Sequence, residues 1–218
     1  EIYHTRGTRG KREDVVAYYD TKSLSLLHEI DIPPKKSSSV SLVGHANLNL
    51  GDAVEPVLEA LHAASPNRFR GIRHSVTWDP HPEVEVTSAH RAEGQLLSDN
   101  FRAGARVLAR MGMSLEAWMY FPQLPELADF AKAVPNLPII LNHIGGLLRV
   151  GPYANRDDEV LATWREGLAA VAECPNVNVK LGGVGMPRTG MDWHDRDTPI
   201  GSEELAESMA PFMNYCIE

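Results

Sequence analysis

From residue 42 onward, strand-like and helix-like segments alternate at roughly 35 residues, the length of a βα unit whose crossover returns to a parallel neighbour. Leu42 to Leu48, Phe69 to Val76, Leu115 to Phe121, Pro138 to Leu141 and Asn176 to Gly182 read as strands. Between and after them, apolar residues recur at helical spacing: Val54, Val57, Leu58 and Leu61 behind a cap at Asp52; Phe101, Ala105 and Leu108; Leu127, Phe130, Ala131 and Val134; Leu161, Trp164, Leu168 and Val171; and Leu205, Met209, Phe212 and Cys216. Such an order predicts an α/β fold, either a doubly wound sheet or a (β/α)₈ barrel. No G-x-G-x-x-G follows a strand, which removes support from the dinucleotide-binding version. Polar residues close nearly every strand (His45, Arg73 with His74, Tyr120, His143, Lys180), the arrangement expected of a barrel whose βα loops converge on one site.

The run Pro138-Ile-Ile-Leu-Asn-His-Ile-Gly-Gly146 marks that site most sharply. Its apolar part reads as a strand covered on both faces, and it ends in Asn142, His143 and two glycines, where α/β proteins carry their chemistry. A formal charge of −8 argues against nucleic acid and anionic membrane as partners and leaves small molecules as the expected ligands. No apolar run approaches a membrane span, and Glu1 to Lys11 lack the apolar core of a signal peptide. The two cysteines, Cys174 and Cys216, make neither a disulfide framework nor a metal spacing and are expected in the core.

Residues 1–36 have a different texture. Tyr3 to Arg12 is a basic, glycine-punctuated stretch read as a loop, and Asp14 to Asp20 with Leu24 to Ile32 predict a β-hairpin around a turn at Thr21-Lys22. Residues 37–41, after two prolines, read as a linker. Arg9-Gly-Lys-Arg-Glu-Asp-Val-Val16, Tyr19 to Leu24 and Ile30-Asp-Ile-Pro-Pro-Lys35 resemble part of one blade of the β-propeller large subunit of methylamine and aromatic amine dehydrogenases. That resemblance implies a periplasmic electron-transfer accessory and brings no catalytic residue with it.

Residues 42–218 resemble the amidohydrolase-related family, metal-type (β/α)₈ hydrolases that include lactonases and decarboxylases of small acids. Val43-Gly-His-Ala46, Phe69-Arg-Gly-Ile-Arg-His74, Leu141-Asn-His-Ile-Gly-Gly146 and Val177-Asn-Val-Lys-Leu-Gly-Gly183 carry the likeness. It implies a partial TIM barrel holding about strands three to seven of eight, preceded by the hairpin, as in a joined or truncated chain with its junction near 37–42. It also implies water attack on the carbonyl of a small carboxylated lactone, ester or amide. His143 and His74 are the expected catalytic residues. Arg73, His45, Tyr120, Arg188 and Lys180 are the expected substrate-binding ones, with Lys180 equally suited to a structural ion pair, and His143 is the one candidate metal ligand. Trp118 is expected to fill the core beside Tyr120, and His81, His90 and His194 to be surface residues.

Two family features are missing: there is no His-x-His pair, and the sequence ends at Glu218 before a last acidic strand. A divalent metal such as zinc is therefore expected in a complete family domain but not in this chain alone, where activity is expected to be impaired. The alternatives are the electron-transfer accessory and a non-catalytic barrel remnant. The resemblance of residues 42–218 implies a cytoplasmic location, against the periplasmic one of residues 1–36, and exposed barrel edges imply an oligomer.

Overall fold

A computed structural model describes residues 41–86 and 92–217, together with the backbone of three strands at 2–8, 11–19 and 26–32. The turn at Thr21-Lys22, His90 and, apart from Ser41, the linker at 37–41 lie outside the described residues.

β1 (Ile2–Thr8), β2 (Lys11–Tyr19) and β3 (Leu26–Ile32) form an antiparallel sheet in that order. The expected hairpin is β2 with β3. The stretch read as a basic loop instead supplies β1, paired with β2, and a register shift between Arg6 and Thr8 brackets Gly7. A strand accommodates a glycine at such an irregularity, which is why the glycine did not mark a loop.

The second sheet is parallel throughout and runs in sequence order: β4 (Leu42–Gly44), β5 (Phe69–Ser75), β6 (Ser114–Trp118), β7 (Ile139–Leu141) and β8 (Val177–Val179). A doubly wound sheet reverses its strand order once, and this order never reverses. With right-handed crossovers, sequential winding puts every helix on one side. Burial follows that rule. Ile72, Leu115 and Ile139, level with one another in the register, are fully buried beneath the helices. One position further on, Arg73 and Asn178 are exposed and Glu116 and Ile140 half-buried on the opposite, inner face.

The strands are shorter than their apolar runs. β4 stops at Gly44, because Leu48–Val54 turns into 3₁₀ geometry that absorbs Asp52, the expected cap, and leads directly into α1 (Glu55–Ala64). The expected helices otherwise form: α2 (Asp99–Arg110), where Ser98 accepts a hydrogen bond from the Phe101 N–H, α3 (Leu124–Ala133), α5 (Asp157–Ala172) and α6 (Ser202–Ile217). α4 (His143–Gly146) is a four-residue turn directly after β7. Phe101, Phe130, Leu124 and Trp164 are fully buried, packing α2, α3 and α5 onto the sheet. Among the described residues, no helix is long and apolar enough to cross a membrane.

Candidate active site

The inner face of the sheet carries its chemistry at the carboxyl ends of the strands. Arg73 on β5 and Glu116 on β6 are direct register partners, as are Ser75 and Trp118 one inward position later. Past β7 the backbone turns left-handed for four residues: φ is 51° at His143, 50° at Ile144, 83° at Gly145 and 65° at Gly146. Two non-glycine residues in that region carry about 1–3 kcal/mol of strain each, and such strain collects at functional sites. Trp164 on α5 is fully buried and donates its indole N–H to the Ile144 carbonyl at 2.8 Å, bracing the strained turn from behind. Trp164→Phe keeps the packing but leaves that carbonyl without its donor. The expected loss is about 1–2 kcal/mol, read as a lower urea midpoint with unchanged slope.

This turn aims His143 at the inner face. Arg73 Nη2 lies 3.3 Å from His143 Nε2, and the Trp118 ring stands edge-on at 5.2 Å. Gly183, at φ +73°, packs so tightly on the other side that a Cβ there would fall 2.4 Å from His143 Nδ1. Burial, and then the charges of Arg73 and Lys180, hold the imidazole below its ordinary pKa. Glu116 opposes that shift and Arg188 adds to it. Asn142, the preceding residue, is fully buried with neither side-chain polar atom paired, a costly arrangement that sets this strand end apart from an ordinary core position.

Arg188, in the loop after β8, reaches back across the mouth. It donates to the Tyr120 hydroxyl at 2.7 Å and sits 5.6 Å from the Trp118 and Tyr120 ring centres. Tyr120 in turn donates to the Glu85 carbonyl, and burial above all pushes its phenol pKa up, so it stays a neutral donor. Lys180 pairs with Glu116 at 2.9 Å. Beside Tyr120 and Arg188 opens a cleft of about 400 Å³ lined by Glu83, Glu85, Leu148, Asp192 and His194. A chain of net charge −8 thus gathers three cations, Arg73, Lys180 and Arg188, around one histidine, with Glu116 the single anion among the charges that act on it.

Of the seven residues expected at the site, Arg73, His143, Lys180, Arg188 and Tyr120 come together. His45 sits at the rim, its Nδ1 3.1 Å from the Arg73 carbonyl. His74 does not join them. It is 3% exposed, with Nδ1 on the Ala46 carbonyl at 3.1 Å, Nε2 on Gln95 at 3.1 Å and its ring against Phe101. Both ring nitrogens are occupied on the helix side, so His74 holds strands and helices together rather than facing substrate. Trp118, expected as core, is buried but walls the site. Glu116 is a site residue that the sequence did not single out, and its alternation with Trp118 was the signal that could have found it. Cys174 is buried, and burial pushes the Cys216 thiol up to about 11, so neither cysteine is a ready nucleophile.

The divalent metal implied by the resemblance does not fit these residues. Such an ion needs three or four convergent ligands, and among the described residues no group of three His, Cys, Asp or Glu side chains offers them. Around His143, the candidate ligand, Nε2 faces a guanidinium and Nδ1 is sealed by Gly183.

Comparison with known proteins gives this arrangement a context. A family model described as amidohydrolase matches residues 39–209. The uncharacterized protein y4mH of Sinorhizobium fredii is 30% identical over 145 residues, which cover 66% of this chain and 44% of that protein. A crystal structure of an amidohydrolase from Burkholderia multivorans with bound HEPES aligns at 22% identity with a TM-score of 0.59, over 82% of this chain and 54% of that one. A second crystal form of it, with bound zinc, aligns at 21% identity with the same TM-score. The chain spans about half the length of these relatives. At such identity the structural likeness speaks for the fold, an α/β unit with a five-stranded parallel sheet. The family match begins at residue 39, and nothing found supports the likeness of residues 1–36 to an amine dehydrogenase subunit.

Proposed function

Because the chain belongs to the amidohydrolase family, we propose that it hydrolyses a small carboxylated lactone, ester or amide, with His143 as the base and the surrounding cations as the substrate anchor. The observation that carries this reading is the cluster of Arg73, Lys180 and Arg188 around a histidine kept neutral by its surroundings. Three cations held at a half-buried mouth attract a carboxylate, and a guanidinium binds it through two parallel hydrogen bonds. Arg188 is already fixed by Tyr120 and stacked over Trp118, so it loses little freedom on binding.

The chemistry then follows from protonation states. His143 takes a proton from water through Nε2 as the water oxygen bonds to the carbonyl carbon. The developing oxyanion is stabilised by a cationic side chain of the mouth. Collapse breaks the bond to the leaving oxygen or nitrogen, which receives the proton from the imidazolium. In the free protein Arg73 covers Nε2, but a charge-assisted pair with carboxylate is stronger than its contact with a neutral ring, so substrate draws the guanidinium aside. The zinc of the Burkholderia crystal enters no step, because the described residues supply no ligand set for it.

The test compares a lactone bearing a ring carboxylate with its neutral methyl ester, as full kinetic curves. One charge-assisted hydrogen bond contributes about 1.5–3 kcal/mol, so kcat/KM is expected to favour the acid by at least about tenfold. Arg188→Met is expected to erase most of that preference by raising KM. Equal turnover of acid and ester sinks the carboxylate assignment. Binding of the acid without any turnover leaves a ligand-binding scaffold in place of an enzyme.

A further inference from the structure

We propose that Arg73 is a positioning residue that locks His143 in the tautomer protonated at Nδ1, so that in the free protein the lone pair of Nε2 faces the mouth. The inference rests on His143 serving as the base and deepens that reading by naming the group that fixes its proton. A guanidinium has five N–H donors and no acceptor, and it does not lose its proton in a protein. Any ring nitrogen it faces at hydrogen-bond distance must accept. Arg73 Nη2 is 3.3 Å from Nε2, so Nε2 carries the lone pair and the single proton of the neutral ring resides on Nδ1.

Several features hold that arrangement. Arg73 extends from the inner face of β5, and its guanidinium lies 6.0 Å from the centre of the Trp118 ring, whose edge also meets the His143 imidazole. Among the described residues the guanidinium makes no other hydrogen bond, so nothing competes with His143 for it. On the far side Nδ1 is buried without a partner and pressed against Gly183, out of reach of solvent that would exchange its proton. An imidazole released from this constraint reverts to a solvent-facing Nε2–H, because there the N–H finds water while a buried Nδ1–H finds no acceptor. That tautomer presents a donor to the mouth and cannot take a proton from water. Arg73 therefore does more than anchor a carboxylate: before substrate arrives it ensures that the base is in its working form.

The test is a long-range proton–nitrogen NMR correlation on the full chain labelled with ¹⁵N-histidine, at a pH where the ring is neutral. The His143 signals are identified by their loss in His143→Gln. The wild-type spectrum is expected to show an unprotonated Nε2 and a protonated Nδ1. Arg73→Met is expected to move the ring to the opposite tautomer or to an averaged pair, whereas Arg73→Lys, also a pure donor, retains the wild-type pattern. Arg73 lies on an exposed position of the sheet, so these variants remain folded, which circular dichroism checks. A wild-type ring protonated at Nε2, or an Arg73→Met ring still protonated at Nδ1, overturns the proposal. The spectrum reads the tautomer without turnover, so an inactive chain with the expected tautomer counts against the hydrolase reading and in favour of this one.

Discussion

Gly146→Ala is expected to cost about 2–4 kcal/mol, a large part of the stability of an ordinary domain, and to disrupt the candidate site with it. Two independent terms add at this position. Gly146 sits at φ +65°, a conformation that costs an alanine about 1 kcal/mol or more. A Cβ there would also fall 1.9 Å from the Met119 carbonyl oxygen and 3.2 Å from Tyr120 Cα, and both are backbone that cannot swing away. Relieving the overlap means lifting the turn off the end of β6, and that overpacking costs about 1–3 kcal/mol further. The neighbouring Gly145→Ala separates the two terms. At φ +83° it bears the conformational strain, but its added methyl would meet the Leu124 side chain at 3.0 Å, which can adjust. Urea melts are expected to rank wild type, Gly145→Ala and Gly146→Ala in falling order. If Gly146→Ala melts within about 1 kcal/mol of wild type, the turn does not lie on β6 as described.

That turn also marks how far the sequence could be read. The apolar run ending in Asn142-His143 and two glycines located a strand with chemistry at its end, because an apolar run that stops abruptly in polar and glycine residues has to leave the core at that point. The direction of His143 was not legible, since it depends on four successive left-handed residues, two of them not glycine. Arg73 and His74 illustrate a case where the pattern held more than was drawn from it. Neighbours on a strand face opposite sides, so both could not reach the mouth. Ile72, apolar and in phase with His74, assigns His74 to the helix side and Arg73 to the inner face, as observed. Glu116 is legible by the same alternation from Trp118. Arg188 is different in kind: it stands in a loop 68 residues from Tyr120, and no local pattern carries a contact of that range. The polar strand ends favoured a barrel over a doubly wound sheet, but the sequential order β4 to β8 of the parallel sheet is a property of the connections and was not legible from those ends.

Replacing His143 by alanine is expected to lower kcat for the carboxylated lactone by about 10²–10⁴, the usual contribution of a general base, with KM nearly unchanged. The split follows because the proposed anchors, Arg188 and Lys180, are placed by Tyr120 and Glu116 and keep those partners whether or not the imidazole is there. The pH profile of the wild-type chain supplies a second, independent reading of the same residue. Only the neutral ring accepts a proton from water, so activity is lost as the ring becomes charged on the acid side. Burial opposes that charging, as do Arg73, Lys180 and Arg188, while Glu116 favours it. The net shift is downward, so the acid inflection is expected below the ordinary histidine value of about 6.5, with a flat profile through neutrality. Removing a cation relieves the opposition, so Lys180→Met is expected to move the inflection up. Removing the anion does the reverse, so Glu116→Gln is expected to move it down. Breaking the Lys180–Glu116 pair from either side therefore shifts the profile in opposite directions, which a loss of folding would not do. An inflection at or above 6.5 in the wild type, or a His143→Ala chain with undiminished kcat, would remove His143 from the reaction and leave the cation cluster as a binding site alone.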